Sequence, residues 1–418
     1  MPMPEALIAA NREFARTHPG ESGARQPVHM MVGGAQLFKR DVCQTMGVLA
    51  ERALAEYAPD AATLALATGI PPSLADTVYA RVIEKLRREP VEDYHIDFED
   101  GYGVRTNQEE DAAADRCADE MAAATHAGTL PAFTGIRIKP LNDEWGARSL
   151  RTLDRFCKRL PKVPGNFSVV LPKITVVEQV AALADLLDDY GVARMEIMIE
   201  TPQSLLMLPD LIDASRGTCI AAHFGPYDYT ASLGIARQHI LHPACDWARS
   251  MLQAQAAGRG LRLADGPTNV MPVALYRGAS ITGMEAAENR AAVDRGWKMH
   301  YHHVQHALIN GFYQGWDLHP AQLVARYAAV YTFFLDGLDE ASDRLKNFIA
   351  KAARSTMVGG VFDDAATGQG LLNYFLRAIN CGAIAESDAP ALTGVSLEDL
   401  RAGSFAQIVA ANTGRISA

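Results

Sequence analysis

The sequence predicts an α/β protein: a (β/α)8 TIM barrel with a C-terminal helical extension. Three observations point there. Eight short apolar, β-branched segments recur along the chain, at 28–33, 94–99, 133–139, 168–174, 195–200, 219–224, 261–265 and 315–319. Alanine- and leucine-rich stretches of helical period separate them with few hairpin signals, and that order means parallel strands joined by crossovers. Polar residues gather where each segment runs out, and in a parallel barrel all these carboxyl ends share the face that carries the site. A doubly wound open sheet is the runner-up.

The elements follow in order. VHMMVG ends in Gly33-Gly34, and the long crossover after it holds two helices, at 40–58 and 72–88. YHIDFE runs into Asp97, Glu99 and Asp100 and is followed by a helix at 111–128. FTGIRIK carries Arg137 and Lys139, SVVLPKI carries Lys173, and a helix at 177–191 leads to MEIMIE with Glu200. Asp228 lies just past CIAAHF, Asp265 ends LRLAD and His319 ends GWDLH. Two amphipathic helices, 323–338 and 370–384, lie beyond. The expected division is a barrel with an N-terminal helical lead-in over 1–324. A helical region over 325–418 then packs on the barrel or on a neighbouring subunit.

Composition sets limits on function. With 49% hydrophobic residues in 418, the chain can bury a large core, which excludes global disorder. A net charge of −10 argues against nucleic acid as a partner. No run of ~18 apolar residues suggests a membrane span. The first residues lack the basic start and apolar core of a secretion signal. The six cysteines form no C-x-x-C pair and read as reduced thiols, so the expected location is cytoplasmic.

Each motif has a bland reading beside the chemical one. Alternation puts Asp97 and Glu99 on one side of their strand, where two carboxylates need a cation, a shared proton or an arginine; the bland alternative is a solvated turn at Gly101 and Gly103. Glu200 closes the apolar run Ile197-Met198-Ile199, where a lone carboxylate is costly unless paired or metal-bound. With Asp228 from the next strand it makes the oxygen pair that octahedral Mg2+ asks for, against a structural salt bridge. Arg137, between two isoleucines, offers a bidentate fork either to Glu99 or Asp100 or to a bound 2-oxo acid. The stretch from His300 to His306 tempts a zinc reading, but a helix flanking the barrel fits it better. Gly33-Gly34 could cradle a phosphate. No P-loop and no G-x-G-x-x-G after a strand is present, which leaves nucleotide hydrolysis and Rossmann-type dehydrogenation without support.

The ordered set DFED (97–100), IRIKP (136–140), LPK (171–173), IET (199–201), FGPYDYTASLG (224–234) and LHPAQ (318–322) resembles the citrate lyase beta-subunit and malyl-CoA lyase superfamily. More broadly it is similar to the class II metal-dependent aldolases of the HpcH/HpaI type, over roughly residues 28–385. The resemblance implies that Glu200 and Asp228 bind Mg2+, with Mn2+ as a substitute. It implies that Arg137 holds the carboxylate and carbonyl end of the substrate and that Glu99 and Asp100 support the metal waters. Asp363, in a glycine-rich loop at 359–365, matches an aspartate donated to a neighbouring subunit, which implies a homo-oligomer, a trimer or hexamer.

The expected chemistry is reversible carbon–carbon cleavage or condensation through an enolate. Its substrate is a small 2-oxo acid such as pyruvate, glyoxylate or oxaloacetate, with or without a CoA thioester. Asp97, Glu99, Asp100 or Asp363 would move the proton. Lys173, Gly33, Gly34 and His319 would contact substrate. Two alternatives stand beside it: phosphoryl or phosphono transfer on a phosphoenolpyruvate-like ligand, and a catalytically silent metabolite-binding barrel.

Overall fold

A computed structural model describes residues 3–20, 23–278, 280–352, 365–402 and 408. Eight strands, β1 (His29–Gly34), β2 (Asp93–Asp97), β3 (Phe133–Arg137), β4 (Phe167–Leu171), β5 (Met195–Ile199), β6 (Cys219–Phe224), β7 (Arg262–Asp265) and β8 (Gln314–Asp317), close into one barrel in chain order. Every neighbouring pair is parallel, and β8 closes on β1 through His29 opposite Gly315. The chain is a (β/α)8 barrel with helices after it.

The first crossover holds three helices, Val42–Tyr57, Ala61–Thr68 and Ala75–Arg88, where the sequence reading has two. The extra one is short, so its period is weak, but its ends are well marked. Asp60 accepts the Thr63 N–H at 2.8 Å as N-cap, and Gly69 closes the other end at φ 103°. The apolar helix expected at 323–338 runs over Gln322–Leu335 and is buried along nearly its whole length. It packs on the helices Gly283–Ile309 and Ala75–Arg88, within the ring around the strands. We therefore propose that the barrel ends near Gly337, one helix later than the division at 324. Among the described residues no helix is long and apolar enough to cross a membrane. The six cysteines are free thiols, five of them buried.

Alternation along the strands sorts the core into two zones. Tyr94 and Ile96 of β2 belong to the continuous apolar core, while Asp93 and His95 of the same strand make polar contacts to strands that are not its neighbours and Asp97 pairs with Arg137 of β3. His95 approaches Glu196 of β5 at 4.0 Å and His223 of β6 at 6.4 Å between ring centroids. Arg137 of β3 lies over the Trp316 ring of β8 at 5.1 Å. Contacts between strands that are not neighbours cross the interior, so the inside of this barrel is ionic where branched apolar layers are usual.

Candidate active site

Asp97, the last residue of β2, is the anchor. Arg137 Nε and Nη2 donate to its two oxygens at 2.8 and 2.6 Å, and the backbone N–H groups of Glu99 and Gly101 donate to the same oxygens at 2.9 and 2.6 Å. Burial pushes the carboxyl up, but the guanidinium and those N–H groups outweigh it and hold its pKa below the usual range. The fork of Arg137 therefore goes to Asp97, not to Glu99 or Asp100. Its remaining Nη1 lies 3.2 Å from Glu99 Oε2 and 3.6 Å from Met198 Sδ.

Glu99 lies between Arg137 and Lys173, whose Nζ is 2.6 Å from Oε1, yet neither carboxylate oxygen accepts an aligned hydrogen bond. Burial raises its pKa; Arg137 opposes the rise, Asp100 adds to it and Lys173 opposes it. Lys173 Nζ also reaches the exposed Asp100 at 2.9 Å. The Lys173 backbone stands at φ 49°, a left-handed conformation costly outside glycine, and its N–H donates to Glu200 Oε1 at 2.5 Å. One strained residue thus ties three carboxylates together.

Glu200 directly follows β5, and Thr201 turns the chain after it: its hydroxyl accepts the Ser204 N–H at 3.0 Å and caps the helix Pro202–Leu206. Asp228 sits in the first turn of the helix Pro226–Ser232, after β6. Burial, then the charges of Asp228 and Glu99, push Glu200 up to about 8, while the Lys173 N–H and Arg137 pull the other way. Since this folded-state value lies above the ordinary 4.5, protonated Glu200 favours the fold. That contribution is full below pH 4.5 and is lost as the pH rises through about 8. Metal-free protein is expected to lose stability across that window, by at most about 1.4 kcal/mol per pH unit. Glu200→Gln should flatten the dependence in a series of thermal melts. Superimposable profiles for the two proteins would show that Glu200 ionises normally.

Gly225 makes room beside it. A Cβ there would lie 2.5 Å from Glu200 Cβ and 2.8 Å from Oε2. Gly225→Ala should fold and yet bind Mg2+ roughly 10–100-fold more weakly, the scale of lost support around a ligand. Wild-type affinity by calorimetry would separate Glu200 from the metal.

The other predicted residues have the following surroundings. A Cβ on Gly33 would strike Tyr94 Oη, and one on Gly34 the Gly101 carbonyl, so both glycines lie against close packing. His319, half-buried after β8, accepts the Ala321 N–H through Nδ1 at 3.1 Å; burial and then Arg277 lower its pKa. Lys139 turns to Glu110 at 3.0 Å, and Asp265 accepts Arg249 Nε. Asp363 lies outside the described residues. The histidine-rich stretch belongs to the helix Gly283–Ile309: His300 meets Asp317 at 2.9 Å, His306 meets Asp246 at 2.8 Å, and His303 is hydrogen-bonded to Thr268. Burial pushes His303 down to about 3. Two features escaped the sequence reading: Trp316 under Arg137, with its buried Nε1 unpaired, and the ionic layer around Glu196. Period-two counting back from Asp97 and Glu200 would have put Asp93, His95 and Glu196 on the inner face.

The family model described as Domain of unknown function (DUF6986) matches residues 7–408. No curated protein matches the chain. Solved structures with a similar fold include the citrate lyase beta subunit complexed with oxaloacetate and magnesium from M. tuberculosis, at 16% identity and TM-score 0.44, covering 74% of this chain and 98% of that one. The Haloferax volcanii malate synthase lead(II) complex matches at 12% and 0.46, covering 93% and 98%. An HpcH/HpaI aldolase/citrate lyase family protein from Burkholderia cenocepacia J2315 matches at 11% and 0.38, covering 80% and 99%. At these identities the likeness is one of fold.

Proposed function

The chain belongs to the DUF6986 family, and we propose that it is a Mg2+-dependent carbon–carbon lyase or aldolase working through the enolate of a small 2-oxo acid. The observation that carries this reading is Glu200. Its buried carboxyl follows an apolar strand, and burial and the charges of Asp228 and Glu99 together raise its pKa. A hard divalent ion with oxygen ligands and several waters fits that setting.

Glu200 and Asp228 would hold Mg2+, or Mn2+ in its place. When bound, the ion supplies Lewis acidity and a template for the carbonyl and carboxylate oxygens of the 2-oxo acid. The side chains do the rest. Asp97 is a positioning residue, since its accepting oxygens are committed to Arg137 and two backbone N–H groups. Arg137, fixed by that fork, keeps Nη1 for the negative charge that develops on the enolate oxygen. Glu99, whose pKa is raised, moves the proton at the carbon next to the carbonyl. Lys173 and Asp100 pair at the rim beside it. The proposal includes a cytoplasmic homo-oligomer with Asp363 donated to a neighbouring site, and a CoA thioester as an optional second substrate.

The test incubates the protein with Mg2+, glyoxylate and either labelled pyruvate or acetyl-CoA, and follows carbon–carbon bond formation by NMR. A new condensation product in either arm supports the reading. Phosphate release from phosphoenolpyruvate, with no condensation, would replace it by phosphoryl chemistry.

A further inference from the structure

A second cluster of ligating atoms lies inside the barrel, below the mouth. Asp93 and His95 alternate with Asp97 on β2, Glu196 lies on β5 and His223 on β6; all four are at most 2% exposed. One atom from each of Asp93, His95 and Glu196 falls within 4.8 Å of the others. His95 Nε2 is 2.9 Å from Asp93 Oδ1 and 4.0 Å from Glu196 Oε2, and His223 Nε2 is 2.6 Å from that same Glu196 oxygen. Tetrahedral ligands about 2.0–2.1 Å from an ion stand about 3.3 Å apart, so these separations bracket what an ion would impose.

Distance alone would also fit a salt-bridge network. The orientations separate the two readings. None of Asp93 Oδ1, His95 Nε2, Glu196 Oε2 and His223 Nε2 has an aligned hydrogen-bond partner, although each is buried and within reach of another. The opposite oxygen of each carboxylate is held from outside the cluster. Gln314 Nε2 donates to Asp93 Oδ2 at 3.3 Å, and Ser168 Oγ and Arg262 Nη2 donate to Glu196 Oε1 at 2.9 and 3.4 Å. Outer partners that turn one oxygen of a carboxylate inward are the usual support of a metal ligand.

We propose that Asp93, His95 and Glu196 form a closed structural site for a first-row divalent transition ion such as Zn2+, with His223 held against Glu196 beside it. Imidazole with carboxylate favours such ions over Mg2+. A cavity of about 1080 Å³ lies at the amino ends of the strands; Phe133 and Arg262 are among its lining residues, and Arg262 Nη2 lies 3.4 Å from Glu196 Oε1.

The test keeps this site apart from the mouth. Full-length protein and the double variant Glu200→Gln, Asp228→Asn are purified from zinc-supplemented medium without chelator, and metal is counted by mass spectrometry. The expected result is about one transition ion per chain in both proteins, with His95→Gln reduced at least tenfold. Since His95→Gln could fail to fold, the wild type is also melted with a strong chelator. Its melting temperature should fall and be restored by Zn2+ but not by Mg2+. Folded wild type carrying well under one ion per chain after incubation with Zn2+, and melting unchanged in chelator, would overturn the site and leave a salt-bridge network. Full metal content in folded His95→Gln would overturn it as well.

Discussion

Arg137→Lys is expected to be nearly as damaging to turnover as Arg137→Ala, each costing about 10²–10³-fold, the scale for removing one charge-stabilising donor. The fork explains why. Two guanidinium nitrogens engage both oxygens of Asp97 while the third is left beside Glu99 and Met198. An ammonium cannot span both oxygens and also reach the third position. Stability should separate the two variants. Alanine leaves Asp97 buried without its countercharge and held only by the Glu99 and Gly101 N–H groups, at a cost of about 3–5 kcal/mol, whereas lysine keeps the charge and part of the pairing. Parallel kinetics and denaturant melts check this. Near-wild-type turnover in Arg137→Lys would show that charge suffices and the planar geometry does not matter.

Glu200→Gln should abolish Mg2+ binding and activity while the fold is retained. Glutamine keeps the shape and can still accept the Lys173 N–H, but it brings no charge to an ion. Relative to metal-free wild type, the variant should gain stability as the pH rises from 4.5 through about 8, because there the unfolded wild-type carboxyl ionises while the buried one resists. Asp228→Asn, at an exposed position, should weaken Mg2+ binding with little change in melting. Unchanged Mg2+ affinity in both variants by calorimetry would remove the metal from this pair of residues.

Much of this was legible in the sequence because barrel strands are short apolar runs whose ends face one way. Arg137, Glu99, Lys173 and Glu200 were singled out at strand ends, and contacts or mutual charge effects link them in the folded chain. What stayed hidden depended on partner choice. Nothing in DFED says that Asp97, and not Glu99 or Asp100, takes the fork of Arg137. That follows from register, which sets Asp97 directly opposite Arg137. Gly33-Gly34 reads in sequence as a free backbone turn after a strand, and what the sequence does not show is that the pair also lies against Tyr94 and Gly101. The ionic layer of Asp93, His95, Glu196 and His223 was passed over because single polar residues in apolar strands look like noise until period two aligns them on one face.

Exchange of the pyruvate methyl protons with solvent, followed by NMR in deuterated buffer, tests the central claim most directly, since it isolates enolate formation from any second substrate. Exchange is predicted to require Mg2+, to be abolished in Glu200→Gln and to fall about 10²–10³-fold in Arg137→Ala. Exchange that persists undiminished in Glu200→Gln, or none with pyruvate or oxaloacetate at saturating Mg2+, would contradict enolate chemistry at this site.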